Sequence, residues 1–337
     1  MLTPEAFPDF TSAYVAVLRH VYACYEHQSA PRGNASRECL GVTFRLTDPR
    51  ERQLWLRTRR QKLPFHIAET LWYLAARDDL EMIGHYAPGL AKHSVDGQRL
   101  TGTAYGPKLF GPGADGVSQW GRVIALLASE EGTKRAVLTM FRPEELVESW
   151  ANPDVSCTLG LQFALRDGVL HAAAFMRGND AWRGLAGDVF AFTVMQEIAA
   201  AELGARLGHY THHVTSMHIN DADLGGVVRL LDEVVEPPPT LPAARVLVMP
   251  SRPWPQIRAV LREEEALRTG RVSHTPHSIN QLGLDPYWQQ WLLNLQAYQE
   301  IRTADRVHVA TWAALSPQYR WALAARWPGQ VPAGDVL

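Results

Sequence analysis

The sequence predicts an α+β (α/β) protein in which helices cover a mixed β-sheet. Several long segments carry apolar residues at helical spacing, and several short apolar runs are rich in β-branched residues. Two apolar runs also meet at Asp167-Gly168, which is a strong β-hairpin signal. A hydrophobic content of 46% and a charged content of 20% are ordinary for a folded globular protein.

The near-equal numbers of acidic and basic residues exclude a strong electrostatic field around the whole protein. The chain has 33 Lys and Arg residues against 35 Asp and Glu residues, which gives a formal net charge of -2. We therefore expect no nucleic acid or membrane partner, and any anionic ligand must be met locally. The N-terminus lacks a basic region followed by an apolar one, and no apolar run reaches membrane-spanning length. The prediction is a cytoplasmic protein.

The first third of the chain predicts two helices with a strand between them. Residues 10–26 have the spacing of an amphipathic helix, and residues 38–46 are strand-like. Residues 64–89 predict one long buried helix that begins at Pro64 and ends at a Pro-Gly stop. Glu69 falls inside this apolar helix, where an ionisable side chain is unusual.

The middle third predicts strands that alternate with helices. Its elements besides the hairpin are a helix at about 120–130, a buried strand at 135–141, a helix at 190–206 and a His-rich strand at 209–220. In the hairpin, Cys157 opens the first strand and Arg177 closes the second. These two side chains are therefore candidates for one site.

The last third predicts mostly helix. A short helix at 221–234 is followed by a Pro-rich segment that leads directly into a predicted buried strand at 244–250. Because such a strand needs partners in a sheet, we predict one domain over residues 1–337, with a helical C-terminal extension at 251–337. One helical face of the extension carries Trp288, Trp291, Leu292, Leu295 and Tyr298.

Few side chains suggest chemistry by themselves. Three cysteines at wide spacing do not form a disulfide framework, and Cys24 and Cys39 lie in apolar runs typical of packing residues. Cys157, Glu69 and arginines near Gly-rich turns suit a covalent site with an anion pocket, although each alone also suits a structural role. A Cys-His-Asp hydrolase stays open as an alternative.

The histidines and glycines match no familiar cofactor motif. His212, His213 and His218 follow one predicted strand and lack the spacing of a zinc site. The chain has no P-loop, and GPGADG at 111–116 matches no dinucleotide fingerprint. We therefore predict no metal.

The run from Cys157 to Asp188 resembles the catalytic core of the thymidylate synthase family, whose pattern is C-H-x-x-x-Q-F, a hairpin, and R-S-x-D-x-x-x-G-L-P-F-N. Here it reads C-T-L-G-L-Q-F, RDG and R-G-N-D-A-W-R-G-L-A-G-D, with no gap after Arg177. The segments HIAETLWYL, TAYGPK, GTKRAV and MHIN follow the family's motifs in order. The resemblance covers roughly residues 30–250 and outweighs the hydrolase alternative. It implies the thymidylate synthase-like fold, with a sheet face available for dimerisation.

The resemblance also implies how the site works. Cys157 would add to C6 of a pyrimidine nucleotide, which makes C5 a nucleophile toward the co-substrate 5,10-methylenetetrahydrofolate. Glu69 would manage proton transfer through water beside the folate, and Tyr105 would lie next to the thiol. Gln162 and Asp180 would help to position nucleotide and folate.

A phosphate pocket shared between subunits is implied by the same resemblance. Arg177 and Arg32 would hold the 5′-phosphate, and Asn179 lies in the substrate-binding motif that begins at Arg177. Lys134 and Arg135 match the family's basic pair, which reaches the phosphate of the neighbouring subunit. The resemblance therefore predicts a symmetric homodimer.

Asp188 is the departure that bears on the base. The family reads uracil with an Asn amide at this position, which donates and accepts, whereas an ionised carboxylate only accepts. Cytosine presents a 4-amino donor, and its N3 could be protonated as the C6 adduct forms, so the carboxylate predicts a cytidine nucleotide. Cytidylate hydroxymethylases of the family also carry Asp here. The alternative is that Asp188 caps a helix that begins at Val189.

A missing tryptophan bears on the product. In the family, a Trp between the helix with the catalytic Glu and the Y-G motif forms one wall of the folate pocket. Residues 73–119 of this chain contain no Trp. Without that wall, water would add to the exocyclic methylene of the nucleotide. The predicted product is a 5-hydroxymethyl nucleotide, released with tetrahydrofolate.

Substitutions around the sugar and phosphate favour a ribonucleotide. In the family's sugar-binding H-x-Y pair this chain has His218 and Asn220, while Gly178 replaces a phosphate-binding Ser and Lys134 replaces an Arg. The extra room predicts CMP over dCMP and resembles the cytidylate 5-hydroxymethylase branch of mildiomycin-type nucleoside antibiotic biosynthesis. The alternatives are a dCMP hydroxymethylase and a thymidylate synthase that methylates dUMP.

Overall fold

The computed structural model describes residues 3–130, 132–147, 151–234 and 247–333. The strands of this part are β1 (Glu5–Phe7), β2 (His27–Ser29), β3 (Ser36–Leu46), β4 (Val137–Thr139), β5 (Thr158–Arg166), β6 (Val169–Asp180) and β7 (Arg206–Asn220). They form one mixed sheet in the order β1-β3-β7-β6-β5-β4, and β2 pairs with β3 outside this order.

Helices cover the sheet, as the sequence predicts. They are α1 (Phe10–Cys24), α2 (Leu63–Leu74), α3 (Leu80–Tyr86), α4 (Tyr105–Leu109), α5 (Gln119–Ser129), α6 (Leu185–Leu203), α7 (Leu224–Glu233), α8 (Pro253–Arg268), α9 (Pro276–Asn280), α10 (Pro286–Ala304), α11 (Val309–Ala314) and α12 (Pro317–Arg326). Both α1 and α6 pack directly on the sheet, and α2 packs on α6. No helix among the described residues has the length and apolar character that a membrane crossing requires.

The β5–β6 hairpin forms where the sequence predicts it. Asp167 and Gly168 have φ angles of 50° and 69°, as a tight two-residue hairpin turn requires, and glycine adopts this conformation without strain. The main-chain N–H of Arg177 donates to the carbonyl of Cys157 over 2.9 Å. The hairpin therefore brings the two predicted site residues together.

The pair β6 and β7 defines the edge of the sheet at which the site is built. These two strands are parallel and are connected through α6, and their register pairs Asp180 with His218. Helix α6 begins at Leu185, five residues before the predicted start, and ends at Gly204 with a left-handed φ of 63°. Because parallel strands end at the same edge, the end of β6, the first turn of α6 and the end of β7 lie together.

The prediction of one long helix over residues 64–89 is wrong. The chain forms α2 and α3 with a turn between them, in which Ala76 has a φ of 54°. Asp79 accepts the main-chain N–H of Met82 over 3.0 Å and so caps α3. An N-cap residue favours the start of a new helix over continuation of the preceding one, and Asp79 starts α3 in this way.

Two strand predictions also need correction. The predicted buried strand at 135–141 is only the three residues of β4, at the edge of the sheet, with Leu138 as its one buried residue. Of the predicted strand at 244–250, residues 244–246 lie outside the described part, and residues 247–250 have no regular structure. That strand consequently gives no support to the single-domain prediction.

The C-terminal extension packs against the rest of the protein. Helices α8 and α10 contact α2, and the predicted apolar face of α10 is buried apart from Tyr298, which is partly exposed. Glu197 of α6 accepts hydrogen bonds from Arg52 over 2.7 Å and from Tyr287 of α10 over 3.3 Å. These contacts support the single-domain prediction, which stays a prediction.

Candidate active site

Cys157 lies immediately before β5, against the guanidinium of Arg177 near the end of β6. The Nη2 atom of Arg177 is 3.7 Å from the sulfur, and its Nε donates to the carbonyl of Ser156 over 2.7 Å. A fixed cation at this distance stabilises negative charge on sulfur, as a nucleophilic thiolate requires. The other two cysteines differ: Cys39 is buried, as predicted, whereas Cys24 is exposed and is not a packing residue.

A buried ion pair that the sequence analysis missed holds the segment before Cys157. The ammonium of Lys108 lies 2.6 Å from Glu145 and 2.6 Å from the hydroxyl of Ser156, whose main-chain N–H donates to Glu145 over 2.7 Å. Burial lowers the pKa of Lys108. Lys108 is in the quoted TAYGPK motif, but its partner is distant in sequence and no local pattern identifies it.

Glu69 is largely buried in α2, as the sequence predicts. Burial, followed by the negative charge of Asp188, raises the pKa of Glu69 to about 8, although a hydrogen bond from Tyr73 acts in the opposite direction. At neutral pH this carboxyl therefore holds a proton that it can exchange, which suits the predicted role in proton transfer.

Asp188 is in the first turn of α6, and it is not the N-cap that the alternative prediction required. Its Oδ2 accepts a hydrogen bond from Nδ2 of Asn179 over 2.8 Å. Burial raises the pKa of Asp188 to about 7, against the lowering effect of the Asn179 hydrogen bond. Near neutral pH, this carboxyl exists in both its ionised and its protonated form.

Gly187 allows these two carboxyl groups to share the site. A Cβ atom at this position would lie 3.0 Å from Oε2 of Glu69 and 3.3 Å from Nδ1 of His66. A side chain of any size would have to displace the Glu69 carboxyl. The absence of a side chain at position 187 is therefore part of the site.

Tyr105 lies beside Thr158, the residue that follows Cys157. Its hydroxyl oxygen accepts a hydrogen bond from the hydroxyl of Thr158 over 3.0 Å. Burial, and then the charges of Asp188 and Cys157, raise its pKa well above the ordinary value. Tyr105 is thus a neutral hydroxyl between the thiol and the carboxyl of α6.

The predicted sugar and cofactor residues form one cluster at the ends of β6 and β7. Oδ2 of Asp180 accepts a hydrogen bond from Asn220 over 2.7 Å, and burial raises the pKa of Asp180 against the lowering effect of the hydrogen bond from the main-chain N–H of Arg183. Oδ1 of Asp180 accepts the main-chain N–H groups of Trp182 and Arg183 over 2.9 and 2.8 Å. Asp180 therefore also fixes the turn that leads into α6.

Other predicted residues lie apart from this cluster. Gln162 donates to the main-chain carbonyl of Lys134 over 2.8 Å, and Lys134 itself is exposed. Arg135 is also exposed and pairs with Glu130. The hydrogen bond of Gln162 is therefore to the chain before β4, and it gives no support to the predicted contact with the nucleotide. The side chain of Arg32 lies outside the described part of the chain.

A cavity lined by positively charged side chains is a second feature that the sequence did not predict. Arg59, Arg60, Lys62 and Arg326 line a cavity of about 390 Å³ that also contacts His66. Burial and the neighbouring arginines lower the pKa of Lys62 and of Arg326. In the described part of the chain no carboxylate forms an ion pair with any of these four cations. The run RTRRQK immediately before α2 was the available signal.

Comparison with known families agrees with this arrangement. Residues 12–248 match thymidylate synthase. The chain belongs to the thymidylate synthase family. The predicted fold is confirmed, and the predicted class of enzyme, a folate-dependent transferase, agrees with the family match.

The chain is also similar to two phage proteins. The chain is 29% identical to the deoxyuridylate hydroxymethyltransferase of Bacillus phage SP01 over 210 residues, which are 59% of this chain and 54% of the relative. It is 28% identical to the protein of the same name from Delftia phage PhiW-14, over 56% of this chain and 54% of the relative. The chain thus spans about half the length of the curated relatives it matches.

Proposed function

We propose that this member of the family transfers a one-carbon unit to C5 of a cytidine nucleotide, with addition of water, to give 5-hydroxymethyl-CMP. The observation that carries the choice of base is the largely buried carboxyl of Asp188. One of its oxygens accepts a hydrogen bond from Asn179. CMP is proposed over dCMP because Asn220 and Gly178 leave more room around the sugar than the family's Tyr and Ser.

The proposed first chemical step uses Cys157 as the nucleophile and Asp188 as the proton donor. The thiolate forms a bond to C6, the C5=C6 electron pair moves to C4=C5, and the C4=N3 pair takes up a proton at N3. A protonated Asp188 is the donor for that proton, and a pKa of about 7 makes it available near neutral pH. Uracil already carries hydrogen on N3 and has no use for such a donor.

The co-substrate 5,10-methylenetetrahydrofolate supplies the one-carbon unit that C5 takes up. Its glutamate carboxylates are anions, and the cavity lined by Arg59, Arg60, Lys62 and Arg326 offers unpaired positive charge beside His66. We propose that this cavity binds them. Glu69, with a pKa of about 8, would then hold and release the protons that the later steps and the attack of water require.

A homodimer completes the proposal. Leu159 and Phe175 are partly exposed on the sheet, and Phe175 stacks on His213 at a centroid distance of 4.9 Å. Such an apolar patch suits a second copy of the chain. Lys134 and Arg135, both exposed, would reach the phosphate of the partner's nucleotide. The cytoplasmic location and a role in nucleoside antibiotic biosynthesis stay predictions.

A second candidate substrate is deoxyuridylate, because the relatives carry that name. The Asp188 carboxyl favours cytosine, but an ionised carboxylate also accepts the N3–H of uracil. The two candidates therefore differ in a measurable preference.

The deciding experiment incubates the enzyme with methylenetetrahydrofolate and, separately, CMP, dCMP, UMP and dUMP. Tritium release from C5 and the product mass are measured for each. We expect the highest kcat/KM with CMP and a product heavier by one hydroxymethyl group. A preference for dUMP, or a 5-methyl product accompanied by dihydrofolate, would refute the proposal.

The Asp188→Asn variant is the matched test of base reading. We expect its preference to move toward uracil nucleotides, because an amide both donates and accepts. Cys157→Ser should abolish tritium release while nucleotide binding persists, which separates a loss of chemistry from a loss of fold.

A further inference from the structure

A chain of hydrogen bonds runs behind Asp188 and ends at a buried tyrosine. Oδ1 of Asn179 lies 3.1 Å from Nε2 of His212, and Nδ1 of His212 lies 2.7 Å from the hydroxyl of Tyr210. His212 and Tyr210 are fully buried, and Asn179 is 3% exposed. Nothing in the chemistry described above uses His212 or Tyr210.

One direction of donation satisfies every group in this chain of hydrogen bonds. The Asn179 amide donates to Oδ2 of Asp188, so its oxygen must accept from Nε2–H of His212. Nδ1 of His212 is then the acceptor for the Tyr210 hydroxyl. Burial lowers the pKa of His212 to about 3, so the ring is neutral and has a single N–H. Every hydrogen points toward Asp188.

Tyr210 decides between this direction and its reverse. In the reverse direction the Asn179 amide would be turned over, so that its oxygen accepts a proton from Oδ2 of Asp188 and its NH2 group donates to Nε2 of His212. Nδ1–H of His212 would then be donated to the Tyr210 oxygen. The Tyr210 hydrogen would then be buried without an acceptor, since no other partner for this hydroxyl exists among the described residues. An orphaned buried donor is costly, so the forward direction prevails.

We propose that Tyr210, His212 and Asn179 form a positioning relay that keeps the Asp188 proton on Oδ1 and thereby selects cytosine over uracil. Oδ1 receives no hydrogen bond in the described part of the chain. In the forward relay, a protonated Asp188 presents O–H to the base, which suits the bare N3 of cytosine. In the reverse relay it would present an acceptor, which suits the N3–H of uracil.

This inference rests on the proposed function, because it assumes that Asp188 contacts the base. The test compares kcat/KM for CMP with kcat/KM for UMP, two nucleotides that differ only in the base. Both values come from one enzyme preparation, so that a reduced folded fraction cancels in the ratio. A purely structural role would leave the ratio unchanged.

Tyr210→Phe removes the hydrogen that sets the direction, and His212→Leu interrupts the relay. We expect each to lower the CMP-to-UMP ratio roughly tenfold or more, the factor that corresponds to one orphaned hydrogen bond. His212→Gln keeps an acceptor for Tyr210 and a donor for Asn179, and should retain most of the preference. Tyr86→Phe is the control, because it also removes a buried hydroxyl, one that donates to the carboxylate of Glu264 over 2.9 Å. This variant should retain the full preference for CMP.

The outcomes separate the relay from the base assignment. If Tyr210→Phe and His212→Leu keep the wild-type ratio while Asp188→Asn shifts it, the relay is refuted and the proposed function stands. If Asp188→Asn also keeps the ratio, Asp188 does not read the base, and both proposals fall. A loss of preference in His212→Gln equal to that in His212→Leu would likewise contradict a role for the direction of the hydrogen bonds.

Discussion

Glu69 and Asp188 illustrate how burial sets chemistry at single residues. Burial is the largest cause of the raised pKa of both carboxyls, and no cation bonds to either among the described residues. Structural carboxylates in a core are usually paired with a cation, as Glu197 is with Arg52. An unpaired, largely buried carboxyl has a cost in stability that a function in proton transfer explains.

That cost predicts a pH-dependent stability. The folded-state pKa of Glu69 is about 8, above its unfolded value of about 4.3, so its contribution is complete below the unfolded pKa and is lost as the pH rises toward 8. Glu69→Gln cannot ionise and should gain in Tm over wild type by roughly 3 °C or more between pH 5 and 8.

Calorimetry at several pH values measures this difference. Glu144→Gln, which removes an exposed carboxyl, serves as the control and should follow wild type. Parallel curves for wild type and Glu69→Gln would contradict the assigned pKa.

The sequence predicts the candidate reacting residues more readily than the residues that support them. Cys157, Arg177 and Asp188 lie close together in sequence and follow one motif, so that their proximity could be predicted. His212 was considered only as a metal ligand, because its partner Asn179 is 33 residues away and lies on a different strand. Contacts of this kind follow from strand register, which one sequence does not reveal.

At the scale of elements, the first turn of α6 has the strictest requirements. It carries Asp188, and its Gly187 packs against Glu69 of α2. The helix begins at Leu185, whereas apolar spacing alone predicted a start near residue 190. The turn fixed by Asp180 sets the true start, and a carboxylate that accepts from two main-chain N–H groups is not visible in apolar periodicity.

Gly187→Ala tests this close packing. The new Cβ would lie within 3.0 Å of the Glu69 carboxyl, so we expect kcat to fall by about 10- to 100-fold, with the fold retained. Gly121→Ala is the matched control, because Gly121 is also the third residue of its helix and its Cβ would lie at least 3.5 Å from its neighbours. Equal activity of the two variants would show that the contact with Glu69 has no catalytic importance.

The break between α2 and α3 shows a limit of element prediction. The linking residues contain neither Gly nor Pro, and Ala76 adopts a left-handed φ that alanine rarely takes. The N-cap Asp79 was visible in the sequence, but so was continuous helical spacing. Tertiary packing decides between two such local signals.

At the scale of the molecule, the C-terminal extension and the family core share a buried charge. Arg52 and Tyr287 both bond Glu197, whose position in α6 is nine residues after Asp188. The helix that carries Asp188 is therefore anchored near its middle by a residue of the extension. The family match ends at residue 248, so this anchor lies beyond what the resemblance could predict.

Arg52→Met should destabilise the protein by about 3–5 kcal/mol, because it leaves the Glu197 carboxylate buried without its main partner. Arg122→Met, which removes an exposed ion pair with Asp115, should cost about 0–1 kcal/mol. Urea unfolding measures both values. Wild type should unfold in one transition, and two separate transitions would contradict the single-domain prediction.

The parallel register of β6 and β7 has a consequence for how the enzyme reaches its active form. Cys157 and Arg177 meet through a local hairpin, which closes early and rapidly during folding. The contact between Asn179 and His212 forms only when β7 pairs with β6, and the whole of α6 separates these two strands in the sequence. Non-local parallel pairing is slow. During refolding, the contact between Cys157 and Arg177 should therefore form before the contact between Asn179 and His212, on which the proposed choice of base depends.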